Sequence, residues 1–258
     1  MDFTGDMASF QQSVALSHEV AMRRAAVFEA LAPRNGEHVL DVGCGGGAYL
    51  RDVAFAVGPH GRACGIDISE DQVAAAQALC ADAPGAEISA GSALDLPFDE
   101  ASLDAAYSAQ VLEYIDTIDD ALSEIHRVLK PGGRFVHLAT NWGSVIFNAG
   151  DETLMDRVMA AWDTHCPHPN LPASMARRLR GAGFGAVEQT PLPMLITSNH
   201  QHSFTYWATR VMAGLAVAQD AVSATEAEAW LADLDELDRK GEFFYSAMTV
   251  ITRARKAN

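Results

Sequence analysis

With 258 residues, 49% of them hydrophobic, the chain has enough material for one large α/β domain with a buried core. Its formal net charge is −16, from 34 acidic against 18 basic side chains, and basic residues cluster only at Arg177, Arg178 and Arg180; that balance argues against nucleic acid or an anionic membrane as partner. No apolar run reaches the roughly 18 residues of a membrane span, and the acidic start MDFTGDMASF lacks the basic region of a secretion signal.

In chain order, residues 8–32 read as a helix with Val20, Val27, Phe28 and Leu31 on one face. Five short runs bounded by turn chemistry then read as strands: His38–Val42, Ala63–Ile68, Ala86–Ser89, Leu103–Ser108 and Arg134–Ala139. Between the second and third, a helix opens on Ser69 and Gln72, an S-x-x-Q capping box. Between the fourth and fifth, Leu122, Ile125 and Leu129 mark a helix that stops before Pro131-Gly132-Gly133. Such alternation means βαβ units and a parallel sheet. Farther on, 171–184 reads as a helix ended by glycine and 185–196 as a strand. The stretch 225–241 reads as a helix with Thr225 and Glu228 as its capping box and Gly241 as its stop, and 243–254 as a final strand. That makes seven strands. The stretches 142–170 and 197–222 are rich in aromatics, Met and His, and are expected to be helical insertions over the carboxyl edge of the sheet, where ligands of such folds bind.

The most informative segment is VLDVGCGGGAYL, Val39 to Leu50. Gly43, Gly45 and Ala48 satisfy G-x-G-x-x-G/A, and Asp67 follows 20 residues after Gly47. Alone, these residues imply a nucleotide-like ligand over a strand-to-helix turn, with Asp67 on ribose hydroxyls. No G-K-[ST] follows, so a phosphate loop is excluded. Asp41, two residues before the first glycine, would repel a pyrophosphate and suits a cofactor with an amino group and a positive centre.

VLDVGCGGG, GIDIS, GSALDLPFDEASLDAAYS, AQVLEYI and RVLKPGGRF, in this order over residues 35–140, resemble the class I S-adenosylmethionine-dependent methyltransferases, and within them the small-molecule branch that includes quinone-biosynthesis C-methyltransferases. The resemblance implies a Rossmann-like, seven-stranded, mostly parallel sheet with its last strand antiparallel, helices on both faces, and helical insertions forming a lid over the active site. It implies S-adenosyl-L-methionine as cofactor. Gly43, Gly45 and Gly46 would approach its methionine part, Asp41 its amino group, Asp67 both ribose hydroxyls and Ile68 the adenine. Ser92 and Ala93 stand where the family often has an acid or amide and a small residue to read the adenine amino group, with Leu94 packing on the ring. Ser108 and Gln110 would border the methionine portion. Tyr114 replaces the histidine common after the glutamate of VLE. The organisation expected is a single domain over 1–258, with an N-terminal helical segment at 1–34, a cofactor-binding core at 35–140, and insertions at 141–170 and 197–241 roofing an acceptor pocket.

Methyl transfer from a sulfonium requires in-line approach and often little else, since proximity and orientation supply about 7–11 kcal/mol. His165 is the candidate catalytic or substrate-orienting residue, and Trp142, Trp162, Tyr206 and Trp207 are candidates for an apolar acceptor pocket. Arg23 and Arg24 are the nearest basic residues for a methionine carboxylate or an acidic acceptor. His165 and His168 lack an obvious third ligand, and the four cysteines, Cys44, Cys64, Cys80 and Cys166, form no CxxC pair. No metal site is therefore expected, and the thiols suit a reduced, cytoplasmic protein. The partner expected is a small-molecule acceptor, with a monomer or a homodimer equally open. An NAD-dependent oxidoreductase, and a cofactor-binding regulatory protein without transferase activity, are the rival readings.

Overall fold

A computed structural model describes residues 17–257. The first helix is α1 (His18–Leu31), capped by Ser17, whose hydroxyl accepts from the Val20 N–H at 3.3 Å; the expected residues 8–16 lie outside the described ones. Strands β1 (His38–Val42), β2 (Arg62–Asp67), β3 (Ala86–Ala90) and β4 (Leu103–Ala109) form where the apolar runs are. They alternate with α2 (Ala48–Val57), α3 (Glu70–Leu79) and α4 (Ile118–Val128). Ser69 caps α3, as its sequence implies.

Then follow β5 (Leu129–Phe147), α5 (Glu152–Trp162), α6 (Leu171–Gly181), β6 (Phe184–Ile196), α7 (Phe204–Ala218), α8 (Ala224–Lys240) and β7 (Tyr245–Lys256). The strand order is β3-β2-β1-β4-β5-β7-β6, with β7 antiparallel to both neighbours and the pairs from β3 to β5 parallel. This is the seven-stranded sheet that the resemblance implies. Because the chain leaves β1 towards β2 on one side and later returns as β4 on the other, the crevice of the fold opens at the carboxyl ends of β1 and β4.

Two layers of core follow from the two faces of the sheet. On one, Val27 and Leu31 of α1 and Leu50, Val53 and Val57 of α2 pack on Val39, Tyr107 and Leu138. On the other, Leu122 and Ile125 of α4 and Met175 and Leu179 of α6 pack on Leu40, Phe135 and Phe184. A third cluster joins α5, α7 and α8 through Val158, Met212, Trp230 and Leu234, closed by Trp142, Met194 and Tyr245 from the strand ends.

Three details depart from the sequence reading. Leu129 is the first residue of β5 and not the last of α4. β5 runs on to Phe147, so the stretch from 141 starts as strand, interrupted by a register break against β7 between Asn141 and Ile146. Its Asn-Trp-Gly-Ser sequence looks like a turn because it is this bulge. Finally, the cap of α8 is Ser223 with Glu226, not Thr225 with Glu228: the Ser223 hydroxyl accepts from the Glu226 N–H while the Glu226 carboxylate accepts from the Ser223 N–H at 2.7 Å. Among the described residues no helix is long and apolar enough to cross a membrane.

Ser223→Ala should cost about 1 kcal/mol and lower the midpoint of thermal unfolding by about 2–4 °C. Thr225→Ala should leave it unchanged, and scanning calorimetry distinguishes the two.

Candidate functional site

The chain leaving β1 reverses within Gly43–Gly47 and enters α2. Gly43 and Cys44 donate their N–H groups to the Ile66 carbonyl at 2.9 and 2.8 Å, and Gly45 donates to Asp67 Oδ2 at 2.9 Å. The other carboxylate oxygen, Oδ1, accepts from Ser69 at 2.9 Å. Asp67 thus ties the glycine turn to the start of α3. Gly43 and Gly47 have left-handed backbones, with φ of +77° and +83°. A Cβ would also meet Val111 at 2.5 Å from Gly43 and Ala76 at 2.9 Å from Gly47. Gly46 is different: its φ is not left-handed and a Cβ would have only Gln72 Oε1, at 3.6 Å, nearby. Neither backbone conformation nor crowding requires glycine there.

Asp41 is buried under this turn, and the Tyr107 hydroxyl donates to its Oδ2 at 2.8 Å. Burial pushes its pKa up to about 8, against the lowering by the Tyr107 hydrogen bond, with the Asp67 charge adding to the rise. Ile68 is 82% exposed and Leu94 43% exposed, two large apolar side chains left open beside the ends of β2 and β3. Ser92 Oγ accepts from the Leu94 N–H at 3.2 Å, which shapes that loop, and Ala93 packs into the core.

At the end of β4, Ser108 is buried with no hydrogen-bond partner for its hydroxyl among the described residues. Gln110 takes a left-handed φ of +59°. Its side chain reaches across to β5, donating to Thr140 Oγ1 at 3.1 Å and accepting from the Thr140 N–H at 2.7 Å. Arg23, on α1, donates to the same Thr140 hydroxyl at 3.4 Å and lies 4.9 Å from the Phe204 ring centroid. It is 5% exposed, and no ion pair holds it among the described residues, whereas Arg24 is paired with Asp52 at the surface.

Two residues beyond Thr140, the β5 bulge is pinned by Trp142 N–H to the Pro169 carbonyl at 2.9 Å and by Gly143 N–H to Asn170 Oδ1 at 2.9 Å. This brings Trp142 onto Trp162 and His165. The His165 ring stacks on Trp162 at 4.0 Å, and Trp142 meets His165 edge-on at 5.1 Å. His165 Nδ1 lies 2.6 Å from the Trp162 carbonyl, which can only accept, so the ring proton is on Nδ1 and Nε2 is a bare acceptor. Burial pushes the His165 pKa down to about 4, so the ring is neutral. His165 Nε2 and the indole nitrogens of Trp142 and Trp162 are buried without hydrogen-bond partners among the described residues.

The structure therefore brings together Trp142, Trp162 and His165. Tyr206 and Trp207 stand apart: they pack against each other at 5.3 Å, Arg210 caps the Tyr206 ring at 3.4 Å, and the Trp207 indole donates to the Gln201 carbonyl. His168 turns to the Asp116 carbonyl, and His200 accepts from the His202 N–H; among the described residues no group of three or more His, Cys, Asp or Glu could hold a metal. Sequence reasoning passed over Tyr107, Glu113 and Thr140, whose partners are remote in the chain.

A family model described as a methyltransferase domain matches residues 40–137. An uncharacterized 37.1 kDa protein in a transposon of Streptomyces fradiae is 35% identical over 188 residues, 72% of this chain and 54% of that protein. A demethylmenaquinone methyltransferase of Symbiobacterium thermophilum is 39% identical over 108 residues, 41% of this chain and 43% of the relative. The chain thus spans about half the length of the curated relatives it matches. A phosphoethanolamine N-methyltransferase of Haemonchus contortus, solved with S-adenosyl-L-methionine, shares the fold: its TM-score is 0.60 at 17% identity, over 92% of this chain and 53% of that one.

Substitution of the glycines separates fold from ligand. Gly47→Ala should lose roughly 1–2 kcal/mol from the left-handed backbone alone, read in a denaturant titration. Gly46→Ala should unfold like the wild type yet bind the nucleoside ligand about tenfold or more weakly, read by calorimetry.

Proposed function

We propose that this chain, a class I S-adenosylmethionine-dependent methyltransferase, moves the cofactor's methyl group, by in-line displacement, to a small and largely apolar or aromatic acceptor. The observation that carries the acceptor class is the cluster of Trp142, Trp162 and His165, aromatic side chains that hold three ring nitrogens without partners among the described residues. Aromatic side chains with a few polar groups are what sites for aromatic ligands present. The relative named for demethylmenaquinone supports an acceptor of this kind.

The residues present fit the cofactor. The cradle at Gly46 is open, Ile68 and Leu94 are exposed apolar surfaces for a purine, and Asp67, with Asp41 once a bound cation ionises it, would set negative charge beside a cationic ligand. When bound, the cofactor supplies a methyl group made electrophilic by its sulfonium. Asp67, whose oxygens each accept one backbone N–H, has lone pairs left for both ribose hydroxyls. Ser92 and Ala93 would border the adenine edge. Asp41 would face the amino group, and Ser108 and Gln110 would border the methionine portion. Arg23, a buried cation with no ion pair among the described residues, would take the carboxylate.

The helices α5, α7 and α8 would roof the acceptor site and exclude water, with His165 Nε2 accepting a hydrogen bond that orients the acceptor. Orientation of this kind is the largest part of what the protein must supply. The absence of a CxxC pair, with Cys44, Cys64, Cys80 and Cys166 all free and buried, supports work in the cytoplasm.

Isothermal calorimetry tests the cofactor assignment. S-adenosyl-L-methionine and its demethylated product should both bind, Asp67→Ala should abolish binding, and NADH should show none. Binding of NADH alone would overturn the reading in favour of an oxidoreductase. Because Asp41 holds its proton up to about pH 8 in the free protein and a cationic ligand favours its ionised form, cofactor affinity should rise with pH towards that value, with proton release. Asp41→Asn should remove this dependence.

A further inference from the structure

Glu113 has no part in the cofactor site just described. It lies in the single 3-10 turn Leu112–Tyr114 that follows β4, is fully buried, and neither carboxylate oxygen bonds another residue among those described. The His168 N–H donates to the Glu113 carbonyl at 3.1 Å, which fixes this turn against the loop after α5. The charged and titratable groups around the carboxyl are Arg23 from α1, Tyr114 beside it in the chain, and Cys166 from that loop. Tyr114, the next residue, meets His165 edge-on at 5.8 Å, so the turn that carries Glu113 packs beside the same aromatic cluster.

A carboxyl buried without partners destabilises the fold, and such groups concentrate where protons are exchanged. Burial pushes the Glu113 pKa up to about 8, with the Arg23 charge holding it from rising further. His165, by contrast, is pushed down to about 4 and is too weak a base for a phenol or an acidic carbon.

We propose that Glu113 is the proton acceptor in methyl transfer, and hence that the acceptor is an aromatic bearing a hydroxyl or an acidic C–H, which loses a proton as it is methylated. This rests on the transferase reading above. The new bond joins the acceptor's oxygen or carbon to the methyl carbon. The methyl–sulfur bond breaks with its electron pair remaining on sulfur, which leaves as a neutral sulfide. The acceptor's proton passes to the Glu113 carboxylate, so charge balances without any further reactant, and the proton returns to solvent after product release. His165 acts as a positioning group through Nε2, and the positive charge of the bound cofactor favours the ionised form of Glu113 that takes the proton.

The test combines turnover with a readout that needs no acceptor. A panel of hydroquinones, phenols and C–H-acidic cyclic ketones, set beside amines and thiols, is assayed in single turnover with labelled cofactor. Products are expected from the first group. On the best acceptor, Glu113→Gln should lower the rate by about 10²–10⁴-fold, bind the demethylated cofactor within about twofold of wild type, and lose the fall in rate that the wild type shows as pH drops. Independently, infrared difference spectra of the wild type with demethylated cofactor should contain a protonated-carboxyl band that vanishes on alkalinisation and is missing from Glu113→Gln.

Methylation of amines alone, an unchanged rate and pH profile in Glu113→Gln, or a Glu113 carboxyl ionised throughout the neutral range would each overturn the assignment. Cofactor binding with no product from any acceptor would overturn the transferase reading, and this inference with it.

Discussion

The glycine turn after β1 is the constraint on which the rest of the molecule depends. It reverses the chain in the few residues between Val42 and Ala48 while three of its N–H groups are held by β2, through the Ile66 carbonyl and the Asp67 carboxylate. Its effects reach in two directions. Towards β2, Asp67 also bonds Ser69 and so sets where α3 starts. Towards β4, the missing Cβ of Gly43 admits the Val111 side chain. Val111 leads directly into the 3-10 turn, and Glu113 in that turn carries the bond to His168 that fixes the loop holding His165. One tight reversal therefore sets the turn that would cradle the cofactor and, through a packed side chain, one side of the proposed acceptor site.

Electrostatics give the site its character. Asp41, Asp67 and Glu113 converge on the carboxyl ends of β1, β2 and β4 against a single buried guanidinium, Arg23. In the free protein two of these acids keep their protons, because burial outweighs the neighbours that would ionise them. A cation entering the site reverses that balance and makes carboxylates out of acids. The protein is thus matched to a ligand that brings its own positive charge, and the same ligand would activate the group placed to accept a proton.

Much of this was legible in the chain. The run HVLDV matches β1 residue for residue, since apolar residues bounded by Gly36 and Gly43 leave no alternative start or stop. Asp67 could be placed from spacing alone because the βαβ unit fixes the distance between the ends of β1 and β2. Local chemistry was ambiguous at α8, where both Ser223–Glu226 and Thr225–Glu228 offer a capping box, and the structure uses the first. The extension of β5 was hidden because a bulge carries turn residues. Tyr107, Glu113 and Thr140 escaped for a different reason, and Arg23 could be named only as a nearby cation, without its contact to Thr140. Each gains its meaning from a partner far away in sequence, 117 residues in the case of Arg23 and Thr140, and no periodicity records such pairs. Tyr206 and Trp207 failed to join the aromatic cluster because, at consecutive helical positions beside Phe204, only Phe204 faces the core.

The central claim is that the glycine turn and the acids around it seat a sulfonium nucleoside so that its methyl group faces the cluster of Trp142, Trp162 and His165. A crystal structure with S-adenosyl-L-methionine measures this directly. The account predicts ribose hydroxyls on Asp67, the amino group towards Asp41, and the methyl carbon turned to the space between Glu113 and His165. A cofactor bound elsewhere, or one whose methyl group points away from that space with Asp67 untouched, would contradict it.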